Sequence, residues 1–178
     1  MINEYEATKP MTADAVPVAS HHETNADVIS TLNGLIETCR NGQEGFKEAA
    51  EVIQRSDLKS LFYEFSQQRA EFVGVLQGLV RSLGSEPATE GSFSGAIHRG
   101  WMDIKSAVTG GSEHAILNEC ERGEDNAKEA YTDALNLNLP ANVADVIRQQ
   151  SQSIQAAHNK VKEMRDTESH KAATPGSF

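Results

Sequence analysis

Four stretches of this chain repeat apolar residues at intervals of three and four, and no run alternates apolar with polar at period two. A chain patterned this way buries its apolar stripes by packing helix on helix, so the expected class is all-α. The first stretch opens with Thr24 and Asp27, a cap pair, and carries Val28, Leu32, Leu35, Ile36, Cys39, Phe46, Ala50 and Ile53, which predicts a helix over about 26–54. Ser56 and Asp57 offer capping side chains to a second helix, through Leu58, Leu61, Phe62, Phe65, Phe72, Val75, Leu76, Leu79 and Leu83, that stops at Gly84. A third begins near Ser112 and carries Ile116, Leu117, Cys120, Ala127, Tyr131, Ala134 and Leu135. Asn138, Leu139 and Pro140 turn the chain into a fourth, with Val143, Val146, Ile147, Ile154, Val161 and Met164, and Pro140 suits its first position.

Two helical hairpins joined by one long connection outline a four-helix bundle. The connection, 85–111, is long enough to travel a bundle of roughly 40 Å and set the third helix parallel to the second. Within it Ile97, Trp101, Ile104 and Val108 keep helical spacing, which predicts a short helix packing Trp101 against the bundle. Residues 1–24, with Pro10 and Pro17 and no periodicity, read as a disordered N-terminal tail; 25–166 form the bundle; 167–178 read as a second disordered tail.

The hairpins resemble each other. Residues 36–50 align without gaps on 117–131, with identities at Cys39/Cys120, Gly42/Gly123, Lys47/Lys128, Glu48/Glu129 and Ala49/Ala130. The second helix aligns on the fourth through Phe65/Ile147, Gln67/Gln149, Gln68/Gln150, Phe72/Ile154 and Leu79/Val161. Matched apolar positions follow from any pair of seams, but matched glycines and cysteines point to duplicated halves about a pseudo-twofold axis. Glycine on a seam suggests close approach of a facing helix.

Acidic residues outnumber basic ones by 26 to 16 in the 178-residue chain, a net charge of −10, and no basic block occurs. That balance argues against nucleic acid or an anionic membrane surface as partner. With no apolar run long enough for a span and no leader-like N-terminus, a cytoplasmic protein is expected. Cys39 and Cys120 fit free thiols at opposite ends of the bundle. Self-association into a homo-oligomer is open to an acidic bundle of this kind.

Stepping along the stripes lands on one polar residue per helix, Gln43, Gln68, Glu124 and Gln150, all near mid-height. A polar layer at one depth must be mutually hydrogen-bonded, hydrated or bound to an ion. If it is a hydrogen-bonded layer, Glu124→Gln would complete an all-glutamine set and could stabilise the protein.

The segments LNGLIETC, NGQEGFKEAAE, QQRAEF, GSFSGAIHRGWMD, ECERGEDNAKEAY and QAAHNKV, together with Glu124 seven residues before Tyr131, resemble a bacterial family of ferritin-like four-helix bundles known as a domain of unknown function, over about 26–166. The resemblance implies a ferritin-like bundle with a long crossover, and a stress-associated role. Di-iron members of that fold carry Glu on the first and third helices and Glu-x-x-His on the second and fourth. The matching positions here are Gln43, Gln68 with Glu71, Glu124, and Gln150 with Ser153, so only Glu124 keeps its carboxylate and the site is degenerate. A shifted register offers Glu121 and His158, the latter in Gln155-x-x-His158, and with Glu71 and Glu124 they could hold iron or manganese. Two readings stay open: a non-catalytic bundle in which Glu124 is tied to Arg69 and His158 is a hydrogen-bonded boundary residue, or a metal-binding, ferroxidase-like protein.

Glu37, Glu44 and Glu51 read as an exposed acidic face, and His21 and His22 as an opportunistic metal pair. His98, Arg99 and Trp101 read as loop anchors, and Gly91–Gly95 matches Gly-x-Ser-x-Gly without the strand-to-helix elbow that motif needs.

Overall fold

The computed structural model describes residues 24–89 and 112–173, with side chains to residue 168. Four helices account for nearly all of this: α1 (Asn25–Val52), α2 (Ser56–Ser82), α3 (Glu113–Leu135) and α4 (Ala141–Ala173), with no strand among the described residues. The expected short crossover helix lies outside the described residues, as do Trp101, His98, Arg99, His21, His22 and Gly91–Gly95.

Local chemistry explains most boundaries. Thr24 caps α1 in a reciprocal box: its hydroxyl accepts from the Asp27 amide at 3.2 Å, and the Asp27 carboxylate accepts from the Thr24 amide at 3.1 Å. Gly84, at φ +81°, ends α2, and the Gly84 and Ser85 amides donate to the Arg81 and Val80 carbonyls at 3.0 and 3.3 Å. Ser112 caps α3 through the Ala115 amide. Pro140 stands just before α4, where its carbonyl accepts from the Ala144 amide at 2.9 Å.

Two boundaries differ from expectation. Neither Ser56 nor Asp57 stands at the cap position of α2; that residue is Arg55, whose side chain makes no capping hydrogen bond to the backbone of the helix. Its guanidinium instead clasps Asp57 at 2.5 and 3.0 Å and reaches Glu113 on α3 and Glu168 on α4 at 3.1 and 2.5 Å. The Glu168 contact lies in a segment expected to be a loose tail, and α4 runs helically through it to Ala173.

The core falls into two apolar clusters, and their membership gives the topology. One holds Val28, Leu32, Leu35, Ile36 and Cys39 from the start of α1, Leu76 and Val80 from the end of α2, Ala127, Tyr131 and Ala134 from the end of α3, and Val143, Ile147 and Ile154 from α4. The other holds Phe46, Ala49, Ala50 and Ile53 from the end of α1, Leu58 and Phe62 from the start of α2, Ile116, Leu117 and Cys120 from the start of α3, and Val161 from α4. Both α2 and α3 therefore run from the second cluster to the first and are parallel. Helix α1 packs on α2 and α3, and α4 packs on α3 and more lightly on α2, so α2 and α3 face each other across a diagonal. The crossover sets off along α1, where the Ala88 amide donates to Asn33 Oδ1 at 3.0 Å.

Candidate functional site

Between the two clusters the core turns polar. Arg69, from mid-α2, and Glu124, from mid-α3, are each 1% exposed. Arg69 Nη2 donates to both Glu124 oxygens, at 2.8 and 2.6 Å, and Nη1 donates to Gln68 Oε1 at 2.5 Å. Because α2 and α3 are diagonal partners, this ion pair bridges the bundle interior. The guanidinium carbon lies 5.9 Å from the Phe46 ring centroid and 5.5 Å from that of Phe72, within range of cation–π attraction. Arg69 Nε has no hydrogen-bond partner.

Gly42 on α1 faces the arginine stem. A Cβ at Gly42 would lie 3.4–3.5 Å from Arg69 Cγ, Cδ and Nε, ordinary van der Waals contact, so its neighbour is the arginine stem rather than a helix backbone and only a side chain larger than a methyl would displace it. Gly123, its counterpart in the repeat, has nothing within 4 Å of such an atom, so close helix approach does not account for it.

Toward the first cluster the polar contacts continue. The Tyr131 hydroxyl donates to Gln150 Oε1 at 2.7 Å, and Cys39 Sγ lies 3.0 Å from the same hydroxyl. With the phenol proton committed to Gln150, the thiol is the donor to Tyr131. Burial pushes the Cys39 thiol up to about 11 and raises Cys120 and Tyr131 as well. It also raises the Glu124 carboxyl, while the charge and hydrogen bonds of Arg69 pull it back.

Of the four expected layer residues, Glu124 and Gln150 are buried, whereas Gln43 and Gln68 are half-buried. Arg69, expected as the partner of Glu124 in the non-catalytic reading, is that partner; it lies on the buried α2 stripe of Leu58, Phe62, Ser66, Arg69, Leu76 and Val80, whereas the expected layer residue Gln68 lies on the flank of Leu61 and Phe65. Glu44 and Glu51 are exposed and Glu37 is half-buried. Cys39 and Cys120 are buried free thiols in different clusters.

The four candidate metal residues do not converge. Glu71 is exposed and accepts from Gln67 at 3.3 Å. Both Glu124 oxygens are held by Arg69. Glu121 and His158, 8% and 7% exposed, do meet, and the third member of their group is Asp125, an exposed residue off the apolar stripe. His158 Nε2 lies 2.9 Å from Asp125 Oδ1 and 3.9 Å from Glu121 Oε1. Asp125 stands one helical turn after Glu121, the spacing that could have exposed it in the sequence.

A di-iron centre needs several carboxylates converging on the middle of the bundle. Here that middle holds one carboxylate already paired with a guanidinium, and Gln150 is committed to Tyr131. The residues present do not fit such a centre.

Among curated proteins there is no match. Among solved structures, the bundle is similar to a two-domain protein containing DJ-1/ThiJ/PfpI-like and ferritin-like domains from Anabaena variabilis, with a TM-score of 0.69 and 16% identity over 83% of this chain and 41% of that one. At that identity the likeness is one of fold, and the chain spans less than half of the neighbour's length. It agrees with the antiparallel hairpins and parallel α2 and α3 in making this a ferritin-like four-helix bundle. No helix among the described residues is long and apolar enough to cross a membrane. The model of one family, described as a domain of unknown function (DUF2383), matches residues 27–137, well over half of the chain, and the protein belongs to that family.

Proposed function

We propose that this protein is a non-catalytic ferritin-like bundle, a scaffold or accessory module in which an internal ion pair stands where a metal-bearing relative would place its ligands. The observation that carries this reading is the Arg69–Glu124 pair, 2.6 Å at its closest, buried across the α2–α3 diagonal. A guanidinium neutralises the one carboxylate left in the polar layer, so the core is complete without an ion. The joining of a ferritin-like domain to a second domain in the Anabaena variabilis protein supports an accessory role. Two buried thiols support a reducing, cytoplasmic setting, and stress association and homo-oligomer formation belong to the same reading.

The test is ferrous-ion oxidation by the purified full chain in aerobic buffer. Oxygen uptake and ferric absorbance should not exceed those of buffer alone. Stoichiometric oxygen consumption that Glu124→Gln abolishes would overturn the reading. Light scattering under the same conditions reads the oligomeric state, with a mass above 19.3 kDa expected.

A further inference from the structure

The α3–α4 seam carries a polar group that neither the ion pair nor the bundle packing calls for. The repeat places Arg40, Glu44 and Leu76 in the first hairpin where the second has Glu121, Asp125 and His158. Leu76 is a fully buried apolar residue there, so the scaffold closes this seam without a histidine. His158 is nonetheless almost entirely buried, with its imidazole directed at two carboxylates.

The imidazole has an acceptor on each side. His158 Nδ1 faces Asn159 Oδ1 at 3.3 Å, an oxygen that already accepts from Gln155 Nε2 at 2.8 Å, and Nε2 faces Asp125 Oδ1 at 2.9 Å. With the ring proton on Nδ1 and held by Asn159, the Nε2 lone pair is available on the carboxylate side, where a cation takes the place of a proton between Nε2 and Asp125. Nε2, Asp125 Oδ1 and Glu121 Oε1 are then three donor atoms that one ion can share. Arg165 donates to Glu121 through the other oxygen, Oε2, which leaves Oε1 turned to the group.

The spacing suits one ion. Donors bound at about 2.1 Å stand about 3.0–3.5 Å apart in octahedral or tetrahedral geometry. The three ligating atoms lie within 4.8 Å of one another, and the closest pair is at 2.9 Å. A rotation of the exposed Asp125 together with a shift of Glu121 toward His158, 3.9 Å away, closes the set. We propose that Glu121, Asp125 and His158 form a binding site for a single first-row divalent transition-metal ion, with water completing the coordination on the open Asp125 side. One imidazole and two carboxylates make a mixed nitrogen and oxygen set suited to zinc or manganese, and Asn159 and Arg165 orient the ligands from outside. The site lies off the bundle centre and does not depend on the non-catalytic reading.

Calorimetric titration of chelator-treated, untagged full chain with Zn²⁺, and separately with Mn²⁺, tests the proposal. One ion per chain is expected for at least one of the two metals. Asn159→Ala should weaken binding about 10- to 100-fold, and Asp125→Asn or His158→Gln by more. The His21→Ala/His22→Ala double variant should keep the full stoichiometry. Asp125 is exposed, so Asp125→Asn retains the fold and decides the matter even if the histidine variant fails to fold. Undiminished binding by Asp125→Asn, or no binding of either metal by the wild type, would overturn the site and leave the trio as a hydrogen-bonded histidine–carboxylate group.

Discussion

Glu124→Gln removes a charge and turns one acceptor oxygen into an amide donor while keeping the side chain's size. In the native core Arg69 Nη2 donates to both Glu124 oxygens, at 2.8 and 2.6 Å. Glutamine offers one acceptor and one amide nitrogen, which would face the guanidinium donor to donor. Arg69 would stay buried, with no water to replace the lost contact. Breaking a buried pair from one side costs about 3–5 kcal/mol, which in a chain of this size lowers the melting temperature by roughly 10 °C. Removing both charges together is a different perturbation. Desolvation already pushes the Glu124 carboxyl up, and the aromatic rings beside Arg69 can pack on an aliphatic chain. Arg69→Met/Glu124→Leu should therefore fall within about 1 kcal/mol of the wild type or exceed it in stability. Urea denaturation of the wild type, both single variants and the double variant closes the cycle. A Glu124→Gln cost below about 1 kcal/mol, or single-variant costs that sum to that of the double, would refute the reasoning. The sequence alone suggested the opposite sign for Glu124→Gln, because it counted the completed glutamine layer and not the buried guanidinium left behind.

Tyr131→Phe removes the donor to Gln150 and the acceptor for the Cys39 thiol, and should cost about 1–3 kcal/mol in the same denaturation assay. Gly123→Ala meets open space and should stabilise by about 0.5–1 kcal/mol through helix propensity, whereas Gly42→Leu must displace the Arg69 stem and should destabilise. Burial disfavours both thiolates, so Cys39 and Cys120 should resist a thiol-specific disulfide reagent at pH 8 in the native protein and react within the dead time in denaturant. The Asp57 carboxyl, held down to about 2 by Arg55, should titrate there by NMR. Because its folded value is depressed, its contribution to stability is present above the usual aspartate range and lost as pH falls from about 4 toward 2, and Asp57→Asn should flatten that limb of the acid-denaturation curve.

Boundaries set by neighbours in sequence were legible: the Thr24 box, the Gly84 stop and the Pro140 turn each involve residues a few positions apart. The parallel setting of α2 and α3 was legible too, since the length of the connection limits where it can end. Boundaries set across space were not. Arg55 gave up any capping role to bind Glu113 and Glu168, and no local pattern in 167–173 reveals that a residue far up the chain helps hold that end of α4. The Arg69–Glu124 pairing was one of two readings left open, and for a related reason the sequence did not decide for it. Two stripes one residue apart run along α2, both largely apolar, and only packing decides that Arg69 faces inward while Gln68 sits half-buried beside it.

The duplication explains why the middle of the bundle was the hardest part to read. A repeat predicts what the two halves share, and they share the seams and the neutral Gln68/Gln150 positions. The charged pair lies where they differ: Glu124 stands against Gln43, and Arg69 against Ser151. Either charge alone would be an uncompensated ion in an apolar core, so each is tolerated only because the other half supplies its partner across the α2–α3 diagonal. The Glu121, Asp125 and His158 group is asymmetric in the same way, present on the second hairpin and answered by Arg40, Glu44 and Leu76 on the first. Symmetry thus accounts for the scaffold, and both groups of converging charge arise where one copy departs from the other.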